Sequence, residues 1–278
     1  MHLNPKDKKT IGVTFCILFC LHITGWLLWG EIALVIFLSM TMVVFVLIQM
    51  DNYRSIQQQF QRQDYRHKQT EALFSIYTMI KPQHPLPFLG DWAISPDFAH
   101  ILISRIYEDK PKTVLELGSG TSTLLAGYCM KSIGQGKIFS LENTEAYAAE
   151  TKRMLKKHDL QNEAEILHAP LSPVTIGNEN WLWYDTHQIS GLSSIDLLII
   201  DGPPKSVQKM ARYPALPLLI PKLSENAVIL LDDSRRKDEK LIINRWLEEF
   251  DELHCELVDT EKGTAVFQKT KIELEYTL

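Results

Sequence analysis

Val114-Leu115-Glu116-Leu117-Gly118-Ser119-Gly120-Thr121-Ser122-Thr123 decides how this chain is read. A short apolar run ends in a pair of glycines one residue apart, and Leu124, Leu125 and Tyr128 then follow at helical spacing. The pattern predicts a strand, a sharp turn and a helix start. Gly118 and Gly120 let backbone turn tightly and approach a ligand, while the helix N-terminus leaves N–H groups for a negative group. The next apolar run, Lys137 to Leu141, ends at Glu142, a carboxylate placed to accept the hydroxyls of a ribose.

Working outward, short β-branched or leucine-rich runs alternate with helical segments: Thr113 to Leu117, Lys137 to Leu141, Glu165 to His168, Ile195 to Ile200 and Ala227 to Leu231. Such alternation implies a parallel sheet covered by helices on both faces. Further candidate strands, Glu256 to Asp259 and Thr264 to Gln268, flank the turn Thr260-Glu261-Lys262-Gly263. The expected fold is α/β, a doubly wound (Rossmann-like), mostly parallel sheet with a C-terminal antiparallel hairpin. Ser95-Pro96-Asp97 supplies an N-cap hydroxyl, a first-turn proline and an early acid for a helix through Phe98, Leu102 and Ile106.

The N-terminal region reads differently. Ile11 to Trp29 and Ile32 to Met50 are apolar, without Lys, Arg or Asp, and each is long enough to cross a bilayer of about 30 Å as a helix. Joined at Gly30-Glu31, they predict a transmembrane helical hairpin. Lys6, Lys8 and Lys9 precede the first run and Arg54, Arg62, Arg66 and Lys68 follow the second, so both termini and the following domain are expected on the cytoplasmic side of the cell membrane, in a multi-pass protein. Trp26 and Trp29 suit an aromatic belt at the opposite interface. A cleaved signal peptide is disfavoured by the length of the apolar region. The organisation read from the sequence is a two-span anchor at 1–50, a juxtamembrane helix and proline-marked linker at 51–87, and an α/β domain at 88–278.

A formal net charge of -5 gives no clustered basic surface with which to hold a polyanion, so nucleic acid is not an expected partner. Cys16, Cys20, Cys129 and Cys255 lack CxxC or Cys/His spacing, which removes a zinc site and a disulfide framework from consideration. The sequence does not indicate the oligomeric state.

No Lys follows Gly120 at the P-loop position, so a nucleoside triphosphate loop fails on its required residue. Glu116 stands two residues before the first glycine, where it can receive a positively charged amino group. The Glu-x-Gly-x-Gly pattern resembles motif I of the class I S-adenosylmethionine-dependent methyltransferase family over roughly residues 88 to 270, with Ser122 where many members have a third glycine. The string from Trp92 to Asp97 together with the loop looks like a bacterial, membrane-anchored subgroup. The resemblance implies S-adenosyl-L-methionine as cofactor, bound by Glu116, Gly118, Ser119, Gly120, Ser122, Glu142 and Asp201.

Asp201, after the fourth strand, and Asp232-Asp233, after the fifth, end at the carboxyl edge of the sheet, where open α/β sheets bind ligands. They are similar in placement to the acids of metal-assisted sugar and catechol O-methyltransferases. Oxygen ligands of this kind suit Mg2+, which would then be held by Asp201, Asp232 and Asp233. The other reading pairs Asp232 or Asp233 with Arg235 or Arg236 as a salt bridge. Asp201, Lys205 and Asp233 are the candidate catalytic residues, an aspartate or Lys205 taking the proton of an acceptor hydroxyl. Trp181, Trp183 and Tyr184 lie between strands, where they either stack on a sugar or pack a lid. The expected activity is O-methylation of a glycan or lipid-linked precursor. The alternatives are an NAD(P)-dependent oxidoreductase, which the missing Tyr-xxx-Lys pair disfavours, and an inactive membrane-tethered interaction module.

Overall fold

The computed structural model describes residues 5–90 and 92–269 and divides into two compact units, 1–66 and 67–278. Helix α1 (Pro5–Ile80) is broken at Gly30, whose φ of 64° and ψ of -145° lie outside helical space. The rings of His22 and Phe37 lie 4.3 Å apart. Fifteen residues of straight helix would separate them by about 22 Å, so this contact depends on the break at Gly30. Only a residue without Cβ adopts such backbone at low cost, which explains why the break falls there.

Among the described residues, the helix Gly30–Ile80 is long and apolar enough to cross a membrane by length and composition. Its apolar side chains, such as Ile32 and Val35, are exposed. The first expected span rests in part on side chains outside the described residues, as do the flanking Lys6, Lys8, Lys9 and the belt residues Trp26 and Trp29.

The second unit is built on a seven-stranded sheet. Its strands are β1 (Thr113–Leu117), β2 (Lys137–Glu142), β3 (Ala164–His168), β6 (Ile195–Ile200), β7 (Leu223–Asp232), β8 (Leu253–Val258) and β9 (Thr264–Lys269). Their order across the sheet is β3-β2-β1-β6-β7-β9-β8. All neighbours pair in parallel except β9, which runs against both β7 and β8. This is the doubly wound sheet with an antiparallel C-terminal hairpin that the alternation predicted. Leu115, Leu117, Leu198 and Ile200 face one apolar layer, and Val114, Leu197 and Ile199 the other. Burial on both faces accounts for the near-continuous apolar runs of β1 and β6.

The segment carrying Trp181, Trp183 and Tyr184 forms a separate two-stranded antiparallel hairpin, β4 (Leu171–Ile176) with β5 (Glu179–Tyr184). Helix α2 (Pro96–Asp109) starts where Ser95-Pro96 predicted. The Ser95 hydroxyl makes no cap bond, however, and stays buried without a partner. Asp97 serves instead, its Oδ1 accepting the Phe98 amide at 2.9 Å and its Oδ2 accepting Gln69 Nε2 at 2.6 Å and the Glu261 amide at 2.7 Å. The last turns of α1 belong to this unit. Ala72, Ile76 and Ile80 are buried, and the latter two join the apolar cluster of Phe98 and Leu102, ahead of residue 88, where the sequence placed the domain's start.

Candidate active site at the switch point of the sheet

From β1 the chain winds outward through β2 to β3, then returns to lay β6 on the opposite side of β1. A crevice opens at the carboxyl ends of the strands where the winding reverses, here those of β1 and β6. Gly118 directly follows β1 and Asp201 directly follows β6, and Leu117 pairs with Ile200, so the glycine loop and the first acid meet at that point. Gly118 has φ +100°, and a Cβ there would lie 3.5 Å from the Gly202 amide nitrogen. Gly120 opens helix α3 (Thr121–Ile133), and a Cβ on it would meet open space.

Glu116 is fully buried beneath this loop. Its Oε2 accepts the Thr123 hydroxyl, and its Oε1 has no hydrogen-bond partner. Burial raises its pKa to about 7, opposed by the hydroxyls of Ser122 and Thr123. A half-satisfied buried carboxylate beside a glycine turn is a ready receptor for a cationic donor.

The loop's own amides are largely engaged. Gly118 N–H donates to Leu141 O at 2.9 Å, Ser119 N–H to Glu142 Oε2 at 3.1 Å, and Gly120 N–H to Thr123 Oγ1 at 3.0 Å. Donors for an anion therefore reduce to the first turn of α3, which carries the unpaired N–H groups of any helix start. Glu142 also accepts the Thr144 amide at 2.8 Å on Oε1 and the Ser119 hydroxyl on Oε2. It thus ties the loop to the end of β2 while keeping lone pairs for a further donor. Ser119 is half-buried within this network, and Ser122 is buried at the start of α3.

Tyr184, at the end of β5, reaches the same crevice. A Cβ on Gly202 would come within 2.1 Å of the Tyr184 hydroxyl and 3.1 Å of Leu117 O. Burial holds its phenol well above the usual range, and the charge of Glu142 adds to the effect. Trp183 is buried beside Tyr184, and Trp181 packs at 4.8 Å on Tyr213, so these two tryptophans seat the hairpin on the domain.

Carboxylate oxygens of Asp201, Asp232 and Asp233 lie within 4.8 Å of one another, as the sequence expected of a cation site. Nothing in the residue pattern indicates what stands among them. Arg212, 3% exposed on the loop after β6, donates from Nη2 to Asp201 Oδ1 at 2.9 Å and to Asp233 Oδ2 at 2.8 Å. It also donates to the backbone carbonyls of Asp201 at 2.7 Å and Asp232 at 2.9 Å. Arg236 Nη1 lies 2.6 Å from Asp233 Oδ2. The expected pairing of Asp233 with Arg236 is thus present, whereas Arg235 pairs with Asp259. The donor chemistry suits a hard cation, but Asp201 Oδ1 and Asp233 Oδ2 are already engaged by the Arg212 and Arg236 guanidinium groups.

The members of the trio differ in access. The side chain of Asp201 is 24% exposed and that of Asp233 is 4% exposed, so Asp201 is the acid that can meet a substrate. Lys205 lies exposed on the turn after β6, with no ion pair to this cluster. Asp232 has one oxygen bound by the Asp233 amide at 2.8 Å and the other buried without a partner. Burial, reinforced by its acidic neighbours, raises Asp232 to about 7.

Residues 115–234 match a family described as a methyltransferase domain. A comparison with curated proteins finds no match. Solved structures of similar fold include the SAH-bound methyltransferase PaMTH1 of Podospora anserina, 17% identical with a TM-score of 0.51 over 72% of this chain and 88% of that one. Cofactor-bound Rv0187 of MTB is 19% identical, with a TM-score of 0.50 over 72% and 90% of the two chains. The O-methyltransferase TomG of Streptomyces achromogenes, in complex with SAM, is 12% identical, with a TM-score of 0.50 over 73% and 89%. The α/β unit thus matches a methyltransferase domain over residues 115–234, on a fold shared with these solved structures. The match spans the segment from β1 to the acids after β7.

Proposed function

We propose that this chain is a membrane-anchored, S-adenosylmethionine-dependent O-methyltransferase. The observation that carries the cofactor assignment is Glu116, a fully buried carboxylate with one unpartnered oxygen directly beneath the Gly118–Gly120 turn. An ammonium group satisfies that oxygen and restores the charge balance that burial denies it. The first turn of α3 receives the cofactor's carboxylate, and Glu142 receives the ribose hydroxyls through its remaining lone pairs.

When bound, the cofactor supplies an electrophilic methyl group on a sulfonium centre. The protein's part in the transfer is positional and acid–base. Asp201 stands at the end of β6 beside Gly202, placed to accept the proton that an acceptor hydroxyl releases; the cofactor would supply the methyl group to that hydroxyl oxygen, its S–CH3 bond breaking and S-adenosylhomocysteine leaving. Burial raises the pKa of Asp201 while the Arg212 guanidinium opposes that rise. A more basic carboxylate is better matched to a hydroxyl than an ordinary aspartate. Asp233 is held by Arg212 and Arg236 and acts by positioning.

The anchor reading rests on the apolar helix Gly30–Ile80, the break at Gly30 and the basic residues flanking the apolar runs. We place both termini and the α/β unit on the cytoplasmic side, and we take a glycan or lipid-linked precursor at that membrane face as the acceptor. Incubating full-length protein in native membranes with methyl-labelled S-adenosylmethionine tests this. Alkali-stable label in the lipid-linked or glycan fraction, lost in Asp201→Asn, supports the reading. Label confined to protein, or none above the variant's background, overturns the acceptor assignment.

A further inference from the structure

Methyltransferases that use a divalent ion at the ends of these strands need an open oxygen cage, with each ligand about 2.0–2.6 Å from the ion. Here Arg212 is inside the cage. One nitrogen, Nη2, bridges Asp201 Oδ1 and Asp233 Oδ2 at 2.9 and 2.8 Å, and the same group reaches the carbonyls at the ends of both β6 and β7. A planar guanidinium stays protonated and offers several fixed donors, so it can cross-link two strand ends as a metal ion would. A second positive group, Arg236, presses on the same Asp233 oxygen at 2.6 Å. A dication placed between Asp201 and Asp233 would sit against both guanidinium groups and compete with them for Asp201 Oδ1 and Asp233 Oδ2.

We propose that Arg212 stands in the place of a metal ion: a built-in cation that fixes Asp201 and the ends of β6 and β7, so that this site works without a divalent metal. The part that concerns methyl transfer rests on the function proposed above. The part that concerns cation occupancy does not. Arg212 is a positioning residue, since it acts on the acceptor through Asp201.

The test is manganese binding followed by electron paramagnetic resonance on the full-length protein in detergent, stripped with chelator and then dialysed. The wild type is expected to leave the spectrum of free Mn2+ unchanged. Arg212→Ala, verified as folded by circular dichroism, is expected to gain a bound Mn2+ population that disappears in Arg212→Ala/Asp233→Asn. Should Arg212→Ala not fold, Arg212→Gln retains hydrogen-bond donors for the two carbonyls and carries the same comparison. One bound Mn2+ per wild-type chain, lost in Asp233→Asn, overturns the proposal, as does a folded Arg212 variant that stays silent. Titration of S-adenosylhomocysteine into the same wild-type sample, with and without chelator, reads the cofactor assignment separately. Affinity is expected to change less than twofold on chelation. Loss of that affinity in chelator alone would contradict metal independence, whereas no affinity in either condition would count against the methyltransferase reading and leave the manganese result to stand by itself.

Discussion

Replacing Glu116 by Gln is expected to stabilise the ligand-free protein at pH 8 while weakening cofactor binding. Glu116 is raised from 4.5 to about 7, chiefly by burial. For an acid shifted upward, the folded state holds its proton longer than the unfolded chain. Stability therefore falls as pH rises from about 4.5 to 7 and is flat beyond, the loss being complete above the folded value. A shift of that size corresponds to roughly 3 kcal/mol at most, since each unit is worth about 1.4 kcal/mol. Gln keeps the shape and the acceptor for Thr123 without the ionisation. Its advantage over the wild type should then be larger at pH 8 than at pH 5 by about 2 kcal/mol, or roughly 4–8 °C in melting temperature for a unit of this size. The assay is thermal unfolding of both proteins in detergent at the two pH values, each with and without S-adenosylhomocysteine. The ligand's ammonium should recover the wild type's deficit at pH 8 and do less for Glu116→Gln. A variant no more stable than the wild type at pH 8, or one stabilised equally by the ligand, would refute the reasoning.

Other substitutions address the rest of the site and the fold. Gly202→Ala places a Cβ 2.1 Å from the Tyr184 hydroxyl and 3.1 Å from Leu117 O, so it should displace Tyr184 and cost about 1–3 kcal/mol through overpacking, read by thermal unfolding; wild-type stability in the variant would contradict the packing described. Asp201→Asn should lower turnover at least about 100-fold, the lower end of general-base contributions, with little change in S-adenosylhomocysteine affinity measured by calorimetry. A parallel fall in both would assign Asp201 to cofactor binding instead. Ile76→Ala, in the last turns of α1, removes a fully buried side chain and should cost about 2–5 kcal/mol in denaturant unfolding of the α/β unit. A cost below about 0.5 kcal/mol, typical of surface positions, would show that this stretch is not part of the domain's core.

What the sequence revealed was local. Glycines at 118 and 120, an acid two positions before them and an acid at the end of the next strand carry their meaning in the spacing, because backbone turns and strand ends are set by neighbours in the chain. The parallel strands were legible for the same reason, since burial on both faces forces apolar runs such as Ile195 to Ile200. Arg212 was not legible. It follows Asp201 in a loop without periodicity, and nothing in Met210-Ala211-Arg212-Tyr213 indicates that the side chain turns back between two strand ends. The β4–β5 hairpin carries a signal in the sequence: Gly177-Asn178 separates two runs carrying Val174, Ile176, Trp181 and Trp183, a two-residue turn between alternating strands. Ser95 illustrates the opposite error, a favourable cap residue whose helix found another acceptor in Asp97 because the Glu261 amide and Gln69 converge on that carboxylate. The packing of Ile76 and Ile80 into the domain was hidden because a polar, glutamine-rich helix precedes them without a break.

Isothermal titration of the full-length protein with S-adenosylmethionine, S-adenosylhomocysteine and NAD tests the cofactor site most directly. Both sulfur ligands are expected to bind and NAD to give no heat. Glu142→Ala, which frees Ser119 and Thr144 from β2 as well as removing the ribose acceptor, should weaken binding at least tenfold. Well-folded wild-type protein that binds NAD and neither sulfur ligand would contradict the central claim.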